Sequence, residues 1–318
     1  MKSSPETGSA WAVVLAAGEG RRLRSLTHAL YGRDLPKQFA EIEPGVTMLQ
    51  ATLDRISSIV PARRTVVVVD RSQEDLARPQ LERFPGVDLA LQPRNLDTAP
   101  GILFPLARIL ARDSDARVAV FPSDHYVPRP APFLAAARAA LAEADRSDER
   151  VTLLGVVPEE AEGEYGWIVP GREIAGAAER LRTVRQFVEK PDADVARALF
   201  ERRALWNAFV SAGRVRAFFA LADRCVPSLS GLFRGYAAGC GESGDRLVLD
   251  ALYETMASVN WSRAVLESAG AAENLAVLPV AGSGWSDWGS PDRVFRSLEA
   301  CGQAESLRAR LRAPLVPA

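Results

Sequence analysis

The segment WAVVLAAGEGRRLRSL, Trp11–Leu26, places an apolar run directly before a glycine loop that carries two arginines. Its first five residues predict a buried parallel strand, because such strands are apolar on both faces. Gly18 and Gly20 then remove side-chain bulk where the strand ends. Backbone N–H groups at such a turn can contact phosphate oxygens, and Arg21 and Arg22 add permanent positive charge. The segment therefore predicts a cradle for nucleotide phosphates.

A short glycine loop by itself is also compatible with an ordinary tight turn, in which glycine serves packing and arginine serves solubility. The loop lacks the Lys-Ser or Lys-Thr ending of a Walker A loop. Leu23 occupies the position of the third glycine in a dinucleotide fingerprint. We therefore exclude a Walker A site and a nicotinamide-dependent oxidoreductase.

The composition is typical of a globular protein that can bury one large α/β core: the chain has 318 residues, of which 47% are hydrophobic. A net charge of −1 gives no general attraction to nucleic acid or to an anionic membrane, so any bound anion must be held by local charge. Cys225, Cys240 and Cys301 are too few and too scattered for a disulfide framework. We expect buried, unreactive thiols in a reducing compartment.

The N-terminal residues 1–9 are polar, and no run approaches the roughly 18 consecutive apolar residues that a membrane span needs. We therefore expect neither a secretion signal nor a membrane-spanning segment. Together with the cysteine content, this predicts a cytoplasmic location.

Beyond the glycine loop, strand-like runs alternate with helical patterns, which predicts a parallel sheet with ligands at the carboxyl ends of its strands. Gln92–Ile102 follows one strand as a polar loop. Asp124 follows another strand, where it could coordinate a divalent cation such as Mg²⁺ or simply stabilise a turn. We further expect an irregular segment at 24–33, a mobile glycine-rich stretch at 231–244 and a helix over 253–267.

Lysine is rare in this chain: of 39 basic residues only Lys2, Lys37 and Lys190 are lysines. Arginine and lysine are interchangeable on a solvated surface, but a compact ammonium group differs from a guanidinium where it must fit as a point charge on a phosphate. The two internal lysines are therefore candidate phosphate ligands, although either could be a remnant of biased composition.

Eight short motifs, taken together, resemble those of the sugar-phosphate nucleotidyltransferases, in particular the bacterial mannose-1-phosphate guanylyltransferases. In chain order the motifs are LAAGEGRRL at 15–23, LPKQF at 35–39, NLDTAPGI at 95–102, PSDH at 122–125, YGWI at 165–168, FVEKP at 187–191, WNAF at 206–209 and WSDWG at 285–289. Each motif alone is weak, but together they extend over nearly the entire chain in the order and spacing of the family.

The resemblance implies an α/β fold with a Rossmann-like mixed, mainly parallel sheet flanked by helices, of the nucleotide-diphospho-sugar transferase type. It implies binding of a nucleoside triphosphate and Mg²⁺, and transfer of the nucleotidyl group to a sugar 1-phosphate with loss of pyrophosphate. The implied domain covers 10–300, with a nucleotide-binding half at 10–150 and a sugar-phosphate-binding half at 151–300. We expect a flexible tail at 1–9, a C-terminal helix and tail at 301–318, and no isomerase domain.

The resemblance also implies roles for individual residues. The nucleotide-binding residues would be Ala16, Ala17, Gly18, Gly20, Arg21, Gln92, Asn95 and Thr98. The catalytic residues would be Arg22 on the leaving pyrophosphate, with Lys37 and Lys190 on phosphate groups. The sugar-phosphate site would comprise Gly166, Glu189, Lys190 and Asn207. The metal ligands would be Asp124 and Asp287.

Two departures from the family pattern bear on the substrate. The sugar motif, usually Trp-Asn-Ser-Gly, reads Trp-Asn-Ala-Phe at 206–209, and Asn260 stands where the family usually has an aspartate. The resemblance implies transfer of GMP from GTP to mannose 1-phosphate, and because of these departures another sugar 1-phosphate or nucleotide is the alternative. A non-catalytic sensor that binds a sugar nucleotide on the same fold is a third hypothesis. The expected partners are small-molecule substrates, without nucleic acid or membrane, and a homodimer is compatible with the sequence.

Overall fold

A mixed β-sheet forms the centre of the protein in a computed structural model that describes residues 9–177, 180–239, 245–268 and 271–313. Within these ranges the sheet has nine strands: β1 Ala10–Leu15, β2 Thr65–Asp70, β3 Asp88–Gln92, β4 Arg117–Pro122, β5 Val151–Val156, β6 Gly166–Glu173, β7 Arg182–Glu189, β8 Leu205–Arg214 and β9 Leu275–Val280. Their spatial order is β3-β2-β1-β4-β8-β5-β9-β7-β6, and β8 also pairs with β6.

The first half of the sheet is parallel, since β3, β2, β1 and β4 all pair in the same direction. β8 then enters antiparallel to β4 and β5, and the pairs of β6 with β7 and of β7 with β9 are also antiparallel. β5 and β9 run parallel. The predicted α/β class with a mixed sheet is confirmed, and the carboxyl ends of β1, β3 and β4 meet along one edge.

Helices cover both faces of the sheet. They are α1 Arg24–Tyr31, α2 Met48–Ile56, α3 Glu74–Leu81, α4 Thr98–Arg112, α5 Pro130–Glu143, α6 Ala193–Glu201, α7 Val215–Cys225, α8 Pro227–Gly239, α9 Asp245–Thr255, α10 Pro291–Ala300 and α11 Ala304–Arg312. Ala12 and Val14 of β1 pack in one apolar cluster with α2, α5 and α10, whereas Trp11 and Val13 pack in the other with α4, α7 and α8. Burial on both faces explains why the first strand is apolar throughout.

Two segments predicted as irregular are partly helical. Residues 24–31 form α1, which buries Leu26 and Thr27 and ends at Gly32 with a φ of +67°. The loop predicted for Gln92–Ile102 ends at Asp97, because α4 already begins at Thr98. Pro100 and Gly101 near the start of this helix are typical of a turn, yet both are buried within it.

The glycine-rich stretch predicted to be mobile is helical up to Gly239, as part of α8. Phe233 and Tyr236 are buried on this helix and pack near Phe104 and Tyr253, so tertiary packing outweighs the low helical propensity of glycine. The remainder of the predicted stretch, residues 240–244, lies outside the described residues.

The helix predicted over 253–267 is interrupted. α9 ends at Thr255, and a short π-helical turn occupies Ser262–Leu266. Between them Val259 donates its N–H to the carbonyl of Leu96 and accepts a hydrogen bond from the N–H of Ala99. These backbone hydrogen bonds to a distant loop replace the hydrogen bonds of a continuous helix. The local pattern of apolar residues could not indicate this replacement.

Two further observations concern the cysteines and the length of the helices. Cys225 and Cys301 are free and only half-buried, which corrects the expectation of buried thiols, and Cys240 lies outside the described residues. Among the helices in the described ranges, none is both long enough and apolar enough to cross a bilayer.

Candidate active site

Two adjoining cavities open at the carboxyl ends of β1, β3 and β4. The first cavity has a volume of about 650 Å³ and is lined by residues that include Ala17, Gly18, Gln38, Gln92, Thr98, Ser123 and Phe209. The second cavity has a volume of about 530 Å³ and is lined by residues that include Gly20, Arg22, Lys37, Lys190, Trp288 and Gly289. The residues that line both, which we call the shared wall, are Glu19, Arg21, Asn95, Asp97 and Asp124.

Gln38, a buried side chain that sequence reasoning missed, stabilises the glycine loop by hydrogen bonds to its backbone. Its Nε2 donates hydrogen bonds to the carbonyls of Ala16 and Gly18, at 2.8 and 2.7 Å. Gly20 has a φ of +62°, and a Cβ there would lie 2.6 Å from the backbone nitrogen of Lys37. Glycine at this position therefore allows the loop and the LPKQF segment to approach each other closely.

Lys37 connects the two acidic motifs. Its ammonium group is buried, lies 2.9 Å from Asp124 Oδ2 and donates a hydrogen bond to the backbone carbonyl of Asp287. The segment after β4 and the WSDWG segment also join directly, because Tyr126 and Ser286 form a β-bridge. The two aspartates, which are 163 positions apart in the sequence, therefore meet at one lysine.

Asp124 is ionised in this setting. Burial raises the pKa of its carboxyl, but the nearby charge of Lys37 and its hydrogen bond outweigh burial, so the pKa lies below its ordinary value. Burial lowers the pKa of His125 to about 4, so the imidazole is neutral at neutral pH. His125 Nδ1 accepts a hydrogen bond from Trp285 Nε1 at 3.1 Å, which leaves the proton on Nε2, the nitrogen 3.8 Å from Asp124 Oδ1.

Asp287 is almost completely buried and is surrounded by donors. Its Oδ1 accepts hydrogen bonds from Tyr165 at 3.1 Å, from the Gly289 N–H at 2.9 Å and from Arg293 at 2.9 Å. Its Oδ2 accepts one from Arg22 at 3.1 Å. Burial raises the pKa of Asp287, yet Lys37 and the two arginines bring it below its ordinary value. The carboxylate is therefore a fixed negative charge inside a cationic cluster.

The chemistry of Asp124 and Asp287 suits Mg²⁺, which prefers hard oxygen ligands, takes one or two carboxylates and completes its shell with water and substrate phosphates. Histidine does not compete as a ligand here, because His125 is already bonded to Trp285. In the described part of the chain, no group of three or more His, Cys, Asp or Glu side chains is placed to hold a metal ion by itself. A metal at this position would therefore depend on the substrate for part of its coordination.

Gln92, at the end of β3, is fully buried and lines the first cavity. Neither its Oε1 nor its Nε2 has a hydrogen-bond partner in the described residues. Burying an amide without hydrogen-bond partners costs free energy. The N–H donors and the carbonyl acceptor of Gln92 are therefore available to a ligand that offers both an acceptor and a donor.

Backbone strain is concentrated at the same cavities. Among the described non-glycine residues with positive φ, four line one cavity or both: Asp97, Lys190, Phe209 and Trp288. Left-handed backbone is unfavourable for such residues and persists where the surrounding structure enforces it, as at ligand-binding sites.

The family described as Nucleotidyl transferase matches residues 11–219, which contain the glycine loop, Lys37, Asp124 and Lys190. The chain belongs to the nucleotidyl transferase family. The resemblance inferred from the motifs is thereby confirmed at the level of the family.

Several relatives of this nucleotidyl transferase carry informative names. The chain is 30% identical over 300 residues to the xanthan biosynthesis protein XanB of Xanthomonas campestris pv. campestris strain B100, covering 92% of this chain and 60% of XanB. It is 33% identical over 193 residues to a mannose-1-phosphate guanylyltransferase of Escherichia coli K12, covering 58% of this chain and 38% of that protein. The chain thus spans about 60% or less of the length of these curated relatives.

A solved structure supports the fold. The crystal structure of a Thermus thermophilus protein described as mannose-1-phosphate geranyltransferase superposes with a TM-score of 0.77 at 30% identity, over 91% of this chain and 79% of that one. Family membership and the nucleotide-diphospho-sugar transferase fold are therefore established.

Most of the residues predicted for the nucleotide lie at the two cavities of this nucleotidyl transferase. Ala17, Gly18, Gln92 and Thr98 line the first cavity, Gly20, Arg22 and Lys37 line the second, and Arg21 and Asn95 belong to the shared wall. Ala16 lines neither and is buried, with its N–H bonded to the carbonyl of Val68.

The residues predicted for the sugar are more dispersed. Lys190 lines the second cavity, whereas Gly166, Glu189 and Asn207 line neither cavity. Gly166 and Glu189 are paired in the β6–β7 register, and a Cβ on Gly166 would lie 2.8 Å from Glu189 Oε2. Burial raises the pKa of Glu189 above its ordinary value, despite the neighbouring Lys190. The side chain of Asn207 accepts a hydrogen bond from the N–H of Phe209 at 3.1 Å.

Sequence reasoning missed two side chains that hold Asp287, namely Tyr165 and Arg293. Arg293 also pairs with Glu162 at 2.5 Å and lies over the Tyr165 ring, 4.7 Å from its centroid. Tyr165 begins the YGWI motif, so its membership in that motif was an available signal. Arg293 lies in a helix rich in charged residues, and nothing in its local sequence distinguishes it.

Proposed function

We propose that this chain transfers GMP from GTP to mannose 1-phosphate in a Mg²⁺-dependent reaction, giving GDP-mannose and pyrophosphate, in the cytoplasm. The observation that carries the proposal is the meeting of Asp124, Asp287 and Lys37 beside Arg22. Asp124, Lys37 and Arg22 line the second cavity, whereas Asp287 is not among its lining residues and directly precedes two of them, Trp288 and Gly289. A pure binding module has no need of a second buried carboxylate beside that lysine, whereas a phosphoryl-transfer site does.

The chemistry requires no covalent intermediate with the protein. A phosphate oxygen of the sugar 1-phosphate attacks the α-phosphorus of the nucleotide, and the bond from that phosphorus to the bridging oxygen breaks, so that its electron pair leaves on pyrophosphate. The obstacles are repulsion between two polyanions and the alignment of the attacking and leaving oxygens. Arg22, Lys37 and Lys190 supply fixed positive charge along the second cavity. Mg²⁺ bound to Asp124 and Asp287 would supply further neutralisation of the phosphates.

Binding of a nucleotide base is supported by Gln92. Its free amide can pair with a base edge that offers neighbouring acceptor and donor groups, and every nucleobase has such an edge, so this side chain does not distinguish guanine from the other bases. Guanine and mannose 1-phosphate are chosen over other bases and sugars because they appear in the name of the Escherichia coli relative.

The test is pyrophosphate release from a matrix of nucleoside triphosphates and sugar 1-phosphates, with Mg²⁺ and with EDTA. We expect turnover with GTP and mannose 1-phosphate, and a loss of activity in EDTA that added Mg²⁺ restores. Turnover with a different pair would reassign the substrate, and no turnover with any pair would favour the non-catalytic sensor.

A variant pair tests the acidic site. Asp124→Asn keeps the shape of the side chain but removes its charge, and we expect turnover to fall at least a hundredfold, which corresponds to about 3 kcal/mol of transition-state stabilisation. Asp54→Asn is the matched control, because the side chain of Asp54 is exposed on α2 and pairs with Arg83, away from both cavities. Near-normal turnover by a folded Asp124→Asn protein would refute the assignment of this carboxylate.

A further inference from the structure

The shared wall lies where the ribose of a bound nucleotide must pass. This step rests on the proposed function, in which Gln92 of the first cavity meets the base and the cations of the second cavity meet the phosphates. The ribose connects base and phosphates, so it must cross the boundary between the two cavities. The residues of that boundary are Glu19, Arg21, Asn95, Asp97 and Asp124.

Most polar groups of the shared wall already have partners. Glu19 is paired with Arg21, and Asp124 is paired with Lys37. Asn95 donates to the carbonyl of Ala17 at 3.2 Å, and its carbonyl oxygen accepts the N–H of Asp97 at 2.9 Å. Within the described residues, Asp97 is the carboxylate of this wall that has no basic partner.

Asp97 is held in one orientation. Its Oδ1 accepts hydrogen bonds from the N–H of Thr98 at 2.6 Å and from Asn260 Nδ2 at 3.0 Å. Its backbone has a φ of +68°, which is unfavourable for a residue with a side chain. Its Oδ2 receives no hydrogen bond from the described part of the chain. The result is a fixed acceptor oxygen at the boundary between the cavities.

We propose that Asp97 accepts a hydrogen bond from a ribose hydroxyl of the bound nucleotide and thereby selects ribonucleotides over deoxyribonucleotides. An ionised carboxylate can only accept, and hydroxyl groups are the donors that a ribose offers. Charge-assisted hydrogen bonds of this kind discriminate strongly against an analogue that lacks the donor, because the acceptor is then left unpaired.

Asn260 is the positioning residue for Asp97. Its amide donates to the carboxylate, whereas its own Oδ1 accepts the N–H of Arg263 at 3.0 Å. An aspartate at position 260 would place two carboxylates about one hydrogen-bond length apart, and their repulsion would displace Asp97. The asparagine therefore keeps Asp97 oriented.

The test measures equilibrium binding of GTP, 2′-deoxy-GTP and 3′-deoxy-GTP in EDTA, so that neither turnover nor a metal is needed. We expect the wild-type protein to bind GTP about 10- to 100-fold more tightly than one of the two deoxy analogues. Asp97→Asn should reduce that preference to threefold or less, mainly by weakening GTP binding. A wild-type protein without preference, or a variant that weakens all three nucleotides equally, would overturn the proposal.

Variants at position 260 separate recognition from loop structure. Asn260→Asp should lower both thermal stability and the ribose preference. The matched control Asn274→Asp, at a half-buried asparagine bonded to Arg224, should preserve the preference. The double variant Asp97→Asn/Asn260→Asp rebuilds the donor–acceptor pair in reverse and should regain stability without regaining the preference. If this double variant fully recovered the preference for GTP over its deoxy analogues, the charge at position 97 would not be responsible for ribose recognition.

The inference and the proposed function fail separately. A protein that releases no pyrophosphate from any substrate pair but binds GTP with an Asp97-dependent ribose preference would refute the function and retain the inference. A protein that turns over GTP normally while Asp97→Asn leaves the preference unchanged would do the reverse.

Discussion

Arg293 is the residue whose removal tests most directly how the acidic site is held together. Its guanidinium pairs with Asp287 at 2.9 Å and with Glu162 at 2.5 Å. The exposed fractions of the three side chains are 13%, 10% and 19%, so both pairs are shielded from water. Arg293→Gln would leave two largely buried carboxylates without their shared cation. Breaking buried pairs in this way costs about 3 kcal/mol or more.

The same helix provides the control. Arg296 lies one turn after Arg293 on α10 and pairs with Glu160 at 2.6 Å, but its side chain is 66% exposed and that of Glu160 is 51% exposed. Exposed pairs contribute about 0.5 kcal/mol or less, because water and salt screen them. The two substitutions therefore remove the same kind of ion pair from the same helix and differ in burial.

Thermal unfolding monitored by circular dichroism provides the measurement. We expect Arg293→Gln to lower Tm by about 5 °C or more and Arg296→Gln by about 1 °C or less, at matched protein concentration. The Arg293 variant should recover part of its stability in the double variant Arg293→Gln/Glu162→Gln, because the charge of Glu162, which loses its cation in the single variant, is then removed. Equal shifts for the two single variants would refute the claim that burial makes Arg293 important.

Three further changes test other local features. Gly20→Ala places a Cβ 2.6 Å from the backbone nitrogen of Lys37, and we therefore expect at least a tenfold loss of kcat/KM for GTP. A variant with wild-type kcat/KM would contradict this expectation. Gln38→Ala removes two hydrogen bonds to the glycine loop and should raise the KM for GTP about fivefold to tenfold in the same assay, with little change in kcat. Asp223→Asn breaks a half-exposed pair with Arg234 and should lower the free energy of unfolding at pH 7 by about 0.5 kcal/mol. Because the hydrogen bond from Arg234 lowers the pKa of Asp223, this contribution is present above the ordinary pKa and disappears as the pH falls through the lowered one. Urea titrations of the two proteins should therefore converge as the pH falls below the ordinary pKa of aspartate.

The two internal lysines show how composition and geometry combine. Rarity alone singled out Lys37 and Lys190 as phosphate ligands, and the structure places both on the walls of the second cavity. Their roles there remain predictions. Lys190 adopts a φ of +48°, a strained conformation that the chain maintains at this position and that no property of the FVEKP motif indicates.

The sequence by itself determined the arrangement of strands, turns and helices around the sheet edge. The apolar run at Trp11–Leu15 favours a strand buried on both faces, because it is short, contains two valines and is followed by glycines. The glycines after it had to form a close turn, and the alternation of strands and helices brought the strand ends to one edge. These are consequences of local pattern, and so they could be predicted.

The tertiary structure decided which side chains contact one another at the site. The helix predicted over 253–267 is interrupted because Val259 bonds to the loop at residues 96–99, and this contact also brings Asn260 to Asp97. Arg293, near the start of α10, reaches back to Asp287 of the preceding WSDWG segment at 2.9 Å. Such contacts depend on the relative placement of elements far apart in the chain, and a charged or amide side chain carries no local signal of which distant partner it will meet.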